Sequence, residues 1–225
     1  MVHRTSSVTR DAPIAFIVFA RAPEPGRVKT RLAATLGDAQ ALAIYRWLAE
    51  HTLTVVRAAA EHAHARVVVY HTPADAGPAM TAWLGNDLEY RPQRGDDLGA
   101  RMAHAASAEL SRGASAVVLV GTDCPSLDLG VLQRAVAALD TAEVALGPAT
   151  DGGYYLLALR QAHAALFEEI PWSAADTFSC TLAAAAGAGL SVALLEERAD
   201  IDTAEDWRRW RAGAALVHLP ELLQH

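Results

Sequence analysis

The chain has 225 residues, 52% of them hydrophobic and 20% charged, which is enough apolar material for the large core of one α/β unit. A formal net charge of −7 argues against general nucleic-acid or anionic-membrane binding, so a phosphate site must be a local cluster of cations in an acidic protein. Cys124 and Cys180 are the only cysteines and form no CxxC pair, which removes a thiolate zinc site and a disulfide framework and fits a reducing cytoplasm.

Residues 1–13 mix Ser, Thr, Arg and Pro without periodicity and read as a loose arm; residues 14–225 read as one domain. Residues 14–20, IAFIVFA, form the first predicted buried strand. This run is too short to span a bilayer and is followed by Arg21 rather than a cleavage site, so neither export signal nor membrane anchor is expected. Arg21 to Leu32, RAPEPGRVKTRL, carries too much Pro, Gly and charge to continue the strand and is predicted to be a loop. Apolar residues recurring at three and four predict a helix from 38 to about 62, followed by a strand over 66–71.

A helix over 74–85, a short strand over 88–91 and an amphipathic helix over 97–110 come next. The run VVLV at 117–120 suits a strand buried on both faces, and Gly121 and Pro125 stop it. Asp128 is a plausible cap for the helix LGVLQRAVAALD; strands are predicted at 143–146 and 154–159. A small-residue helix over 176–186, a strand over 191–195 and a helix from 203 to about 213, opened by TAED, complete the pattern. Such alternation predicts a three-layer α/β/α sandwich with a mostly parallel central sheet.

Four stretches carry candidate chemistry. In the first, Arg21, Arg27, Lys29 and Arg31 place four cations within eleven positions, directly after the opening strand, with Gly26 shaping the loop. Paired Arg donors, a Lys point charge and freed backbone amides suit a di- or triphosphate; a solvated basic loop is the plainer reading. A Walker loop, GxGxxG after a strand and HExxH are all absent, which argues against a P-loop NTPase, a dinucleotide dehydrogenase and a zincin. In the second, GTDCPSL, Asp123 follows a buried strand, where a carboxylate can meet a ligand or metal or simply cap the next turn.

The third stretch, GPATDGGYYL, offers Asp151 to orient or deprotonate an acceptor hydroxyl, with Gly152 and Gly153 allowing close backbone approach and Tyr154 beginning the next strand. An ordinary Asp-Gly turn between strands explains it equally well. In the fourth, ADIDTAEDW, capping explains Thr203, Glu205 and Asp206 but not Asp200 or Asp202. Mg²⁺ prefers one or two carboxylates plus phosphate oxygens and water, so Asp123 and Asp202 would suffice if the fold unites them. Trp172 and Ser173 fit either against a sugar or base or, for the Trp, in the core. Cys124, with no His close to it in sequence, reads as buried and inert.

Taken in order from about residue 14 to 210, FARAPEPGRVKTRL, DLGARM, GTDCPSL, GPATDGGYYL and DIDTAEDW closely resemble the bacterial glycosyltransferase-A-like proteins of the nucleotide-diphospho-sugar transferase superfamily. That group includes an arsenosugar-biosynthesis branch; phospholactate guanylyltransferases and molybdenum-cofactor nucleotidyltransferases are more distant relatives. The resemblance implies a Rossmann-like glycosyltransferase-A fold and a nucleotide bound over the first strand and its loop, with Gly99 and Arg101 of DLGARM among the contacts. It also implies a divalent ion, Mg²⁺ or Mn²⁺, on Asp123. The DxD of many glycosyltransferases is absent at this position, and Thr122-Asp123-Cys124 stands in its place.

The resulting expectation is a transferase that takes a nucleotide sugar and a small-molecule acceptor. A nucleotidyltransferase joining a nucleoside triphosphate to a phosphorylated molecule is the alternative, and a non-catalytic nucleotide-binding module a second one. Nucleic-acid and membrane partners are not expected, and a homodimer stays open.

Overall fold

A computed structural model describes residues 13–213 and Leu223, so all but the last residue of the expected arm lies outside the described residues. Among the described residues seven strands form one sheet: β1 (Ala15–Arg21), β2 (Arg66–Thr72), β3 (Glu89–Pro92), β4 (Val117–Val120), β5 (Val144–Pro148), β6 (Tyr154–Leu159) and β7 (Val192–Leu194). Their order is β3-β2-β1-β4-β6-β5-β7, and every pair is parallel except the two that β6 makes with β4 and β5. The order reverses between β1 and β4, and in such sheets the crevice beyond the strand ends at the reversal is where ligands bind.

The helices are α1 (Thr30–Leu36), α2 (Asp38–Ala63), α3 (Gly77–Leu84), α4 (Leu98–Ser111), α5 (Leu129–Ala138), α6 (Thr177–Gly187) and α7 (Ala204–Gly213). Along β1 the side chains alternate: Phe16, Val18 and Ala20 pack with residues of α2, α3 and α5, while Ala15 and Ile17 pack with residues of α4 and α6. Period-two alternation with apolar partners on both sides is why the central strands read as unbroken apolar runs. Each large aliphatic side chain so buried contributes roughly 1.5–3 kcal/mol. A third cluster joins Leu32 of α1, Ile44 and Leu48 of α2, and Ile201, Trp207 and Leu223.

The three-layer, mostly parallel sandwich is as the sequence predicts. Asp97 and Asp128 cap α4 and α5, accepting from the Ala100 and Val131 amides at 2.7 and 2.8 Å. Thr203 and Asp206 cap each other reciprocally ahead of α7. The predicted loop over 21–32 needs correction, because its last residues, from Thr30, already belong to α1. The dense Pro and Gly of RAPEPGR hide this short helix, which is held by burial of Leu32 rather than by propensity. Likewise the β5–β6 connection is an antiparallel hairpin, the plainer reading of its Asp-Gly signal, yet it opens on the crevice.

Candidate functional site

Four segments meet beyond the ends of β1 and β4. The segment before α7 is laid across them by backbone bonds: Arg198 N donates to Pro148 O (3.0 Å), Thr150 N to Arg198 O (2.9 Å) and Ile201 N to Asp123 O (2.9 Å). Ile201 is buried in the apolar cluster beneath α7, so its neighbours Asp200 and Asp202 fall on the other side, along the cleft.

Lys29 ties these segments together. Its residue has φ 47° and ψ 47°, a left-handed conformation just ahead of α1, and its side chain is only 5% exposed. The ammonium donates to Asp123 Oδ1 (2.8 Å), Asp202 Oδ1 (2.9 Å) and Ile201 O. Three donors on three acceptors use the full capacity of an ammonium. Burial pulls the Lys29 pKa down, but the carboxylates of Asp123 and Asp202 outweigh it and hold the group above its ordinary value, fully charged. Arg31 reaches the other oxygen of Asp202.

The cleft has two lobes that share Arg31, Asp123, Asp200 and Asp202. The first, about 470 Å³, lies over the end of β1 and is lined by Arg21, Lys29, Thr30 and Gln93. Tyr45 of α2 clamps it from behind: its hydroxyl accepts from Arg21 N and donates to Arg21 O, both at 2.7 Å. Burial foremost pushes the Tyr45 phenol well above its ordinary range, so it stays a neutral clamp. The second lobe, about 500 Å³, is lined by Phe19, Leu98, Met102, Asp151, Tyr154, Trp172 and Ser173. Tyr154 and Trp172 meet edge to face at 6.4 Å. Thr177 accepts from Ala174 N and donates to Pro171 O (2.6 Å), which fixes the loop bearing Trp172 and Ser173.

Several nominated residues serve the walls instead. Arg27 is exposed and pairs with Glu24, while its carbonyl accepts from Arg21. Gly26 turns the loop at φ 70° beside Asp38. Arg101 donates to Gly95 O at 3.0 Å, within its own turn. Gly152, at φ 90°, leaves no room for a Cβ, which would stand 1.9 Å from Ala175 O, and Asp151 accepts from Gly153 N at 2.9 Å. At Gly99 a Cβ would stand 2.2 Å from Trp172 Nε1, so this glycine seats the indole. Gly99→Ala is therefore expected to keep the fold, since alanine favours the helix by roughly 1 kcal/mol, while displacing Trp172. The check is the Trp172 indole N–H resonance, assigned by its loss in Trp172→Phe; an unmoved resonance contradicts the assignment.

Asp200 is the site residue to which the motifs assign no role. Its Oδ1 is buried without a hydrogen-bond partner among the described residues. Burial first, then the charges of Asp123 and Asp151, push its carboxyl up to about 7 against the pull of Lys29. The signal in the sequence is the Asp-x-Asp spacing around an apolar Ile201, which in extended chain turns both acids away from the core. Cys124 is buried, and burial pushes its thiol up to about 11, which leaves it inert as a nucleophile.

No group of three or more His, Cys, Asp or Glu among the described residues is placed to hold a metal ion by itself. A hard ion that takes one or two carboxylates and completes its shell with phosphate oxygens and water fits the partnerless Asp200 oxygen beside Asp123. Both oxygens of Asp202, the other nominated ligand, are instead taken by Lys29 and Arg31. Among the described residues no helix is long and apolar enough to cross a membrane.

Residues 54–174 match the family profile of DUF2064, an uncharacterized protein family conserved in bacteria. The fold is similar to that of a crystal structure from Desulfovibrio desulfuricans G20, a protein provisionally named a nucleotide-diphospho-sugar transferase. The two share 33% identity over 90% of this chain and 88% of that one, with a TM-score of 0.83. It is also similar to Rv0371c of Mycobacterium tuberculosis H37Rv in complex with manganese, at 19% identity, 88% and 97% coverage and a TM-score of 0.55. A CMP:2-keto-3-deoxy-manno-octonic acid synthetase complexed with CTP matches at 15% identity, 91% and 99% coverage and a TM-score of 0.55. A search of curated proteins found no match.

Proposed function

This chain belongs to the bacterial DUF2064 family, and on that premise we propose that it is a metal-dependent transferase that moves a sugar from a nucleotide sugar to a small-molecule acceptor. One observation supports this most directly: a cationic lobe at the strand-order reversal and an aromatic lobe meet at Asp123, so a diphosphate and an acceptor can be held end to end. The nucleotide lies over β1, with Arg21 and Arg31 on its phosphates. Lys29, fully engaged with Asp123 and Asp202, holds the loops in place for them. The acceptor lies against Trp172, Ser173 and Tyr154, with Asp151 orienting its hydroxyl.

Asp123 and Asp200 would hold Mg²⁺ or Mn²⁺, which when bound neutralises charge on the leaving diphosphate. The chain's own contribution is placement: donor and acceptor fixed at the junction of two lobes convert an encounter between two molecules into a reaction within one complex.

The test is a thermal-shift screen of nucleotides and sugar nucleotides with and without Mn²⁺, since binding to the native state raises stability by mass action. Metal-dependent shifts are expected for a nucleoside diphosphate and its sugar, and are expected to vanish in Asp123→Ala. A variant that binds every nucleotide as the parent does removes the metal role of Asp123. Release of pyrophosphate from a nucleoside triphosphate, rather than nucleoside diphosphate from a sugar nucleotide, replaces this reading with nucleotidyl transfer.

A further inference from the structure

We infer that the aromatic lobe takes an uncharged, hydroxyl-bearing acceptor with one apolar face, a sugar ring being the simplest example, and excludes a phosphorylated acceptor. This deepens the sugar-transfer reading above and rests on it.

The walls argue for the apolar face. Trp172 is seated against Gly99, met edge-on by Tyr154 and carried on a loop pinned by Thr177, so a flat surface stands ready without reordering. A ring that presents C–H groups on one side and hydroxyls at its edge matches a surface of this kind. The polar groups argue for the hydroxyls. Asp151 lines the lobe beside Asp123 and Asp200, the pair assigned to the metal, and is the carboxylate left to face the acceptor. Carboxylates only accept, and a hydroxyl supplies the donor they lack.

The same groups argue against a second phosphate. Among the described residues lining this lobe, Arg31 is the single cation, and it is already assigned to the donor's phosphates. A phosphate monoester recognised in protein calls on several cationic or amide donors. Here it would meet carboxylates, while the charge of a bound divalent ion is already matched by the donor's diphosphate. In the transfer itself the acceptor hydroxyl oxygen bonds to the anomeric carbon. The bond from that carbon to the diphosphate oxygen breaks, its electron pair leaves with the nucleoside diphosphate, and the hydroxyl proton passes to Asp151 and on to water.

The experiment measures binding of two probes, phenyl β-D-glucopyranoside and glucose 1-phosphate, to the full-length protein by saturation-transfer NMR. Three variants accompany it: Trp172→Ala, Trp172→Phe and Arg21→Ala. The neutral glycoside is expected to bind, to weaken about tenfold in Trp172→Ala, to recover in Trp172→Phe and to ignore Arg21→Ala. Glucose 1-phosphate is expected to respond to Arg21→Ala and not to Trp172→Ala. Failure of the glycoside to bind, or a glucose 1-phosphate signal that depends on Trp172 alone, overturns the inference. A turnover arm with sugar nucleotides separates the two levels. Nucleoside diphosphate released only with phosphorylated acceptors sinks the inference and spares the sugar-transfer reading. Pyrophosphate released from a nucleoside triphosphate sinks both.

Discussion

Lys29→Met is expected to destabilise the protein by about 3 kcal/mol and to abolish the nucleotide-induced thermal shift. The loss follows from what remains: Asp123 and Asp202 lose the ammonium that compensates them both, and Ile201 O loses a donor. Removing one partner of a buried ion pair typically costs about 3–5 kcal/mol because the other charge stays behind. The lower end is appropriate, since Asp123 is 41% and Asp202 27% exposed and water screens the orphaned charges. At this chain length each kcal/mol moves the melting temperature by roughly 2–4 °C, so thermal unfolding should show a drop on the order of 6–12 °C. Adding Asp202→Asn should restore part of it. A single variant that melts with the parent shows that Lys29 is not the tie between the loops.

Asp200→Asn carries the opposite sign. A carboxyl raised to about 7 from an ordinary 3.8 binds its proton more tightly in the folded protein than in the unfolded chain. Its contribution to stability is therefore complete below pH ~4, falls as pH rises from there to about 7, and is flat above. Over that whole span the loss is on the order of 4 kcal/mol. In metal-free protein the asparagine variant should accordingly match the parent near pH 4 and melt higher above pH 7. Mn²⁺ should then raise the melting temperature of the parent at pH 8 and leave the variant unmoved, because a cation favours the ionised carboxyl that the variant lacks. Equal melting at pH 8 without metal removes the case for an Asp200 carboxyl raised by burial and by its acidic neighbours.

Whether a residue's role is legible in the sequence depends on how local its physics is. VVLV announces a buried strand because four consecutive apolar residues suit burial on both faces, and Asp97 and Asp128 announce helix starts because a cap bonds within three residues. The helix Thr30–Leu36 is not legible, since its support comes from Leu32 packing on α2 and α7, which the Pro-rich approach does not foretell. Gly99 and Arg101 stand out through their motif, but that Gly99 lies against Trp172 and that Arg101 donates to Gly95 O is visible only in the fold.

By itself the sequence determined the alternation of strands and helices, the layered architecture and the cationic loop after the first strand, because periodicity, capping and charge clustering act over a few residues. Only the tertiary structure decided that Asp123 and Asp202 would share Lys29 across more than ninety positions of chain, and that Asp200 would be left with one buried, partnerless oxygen between the lobes. Those outcomes depend on which strand ends lie side by side, and that is set by the order of strands in the sheet, a property of the whole chain rather than of any stretch of it.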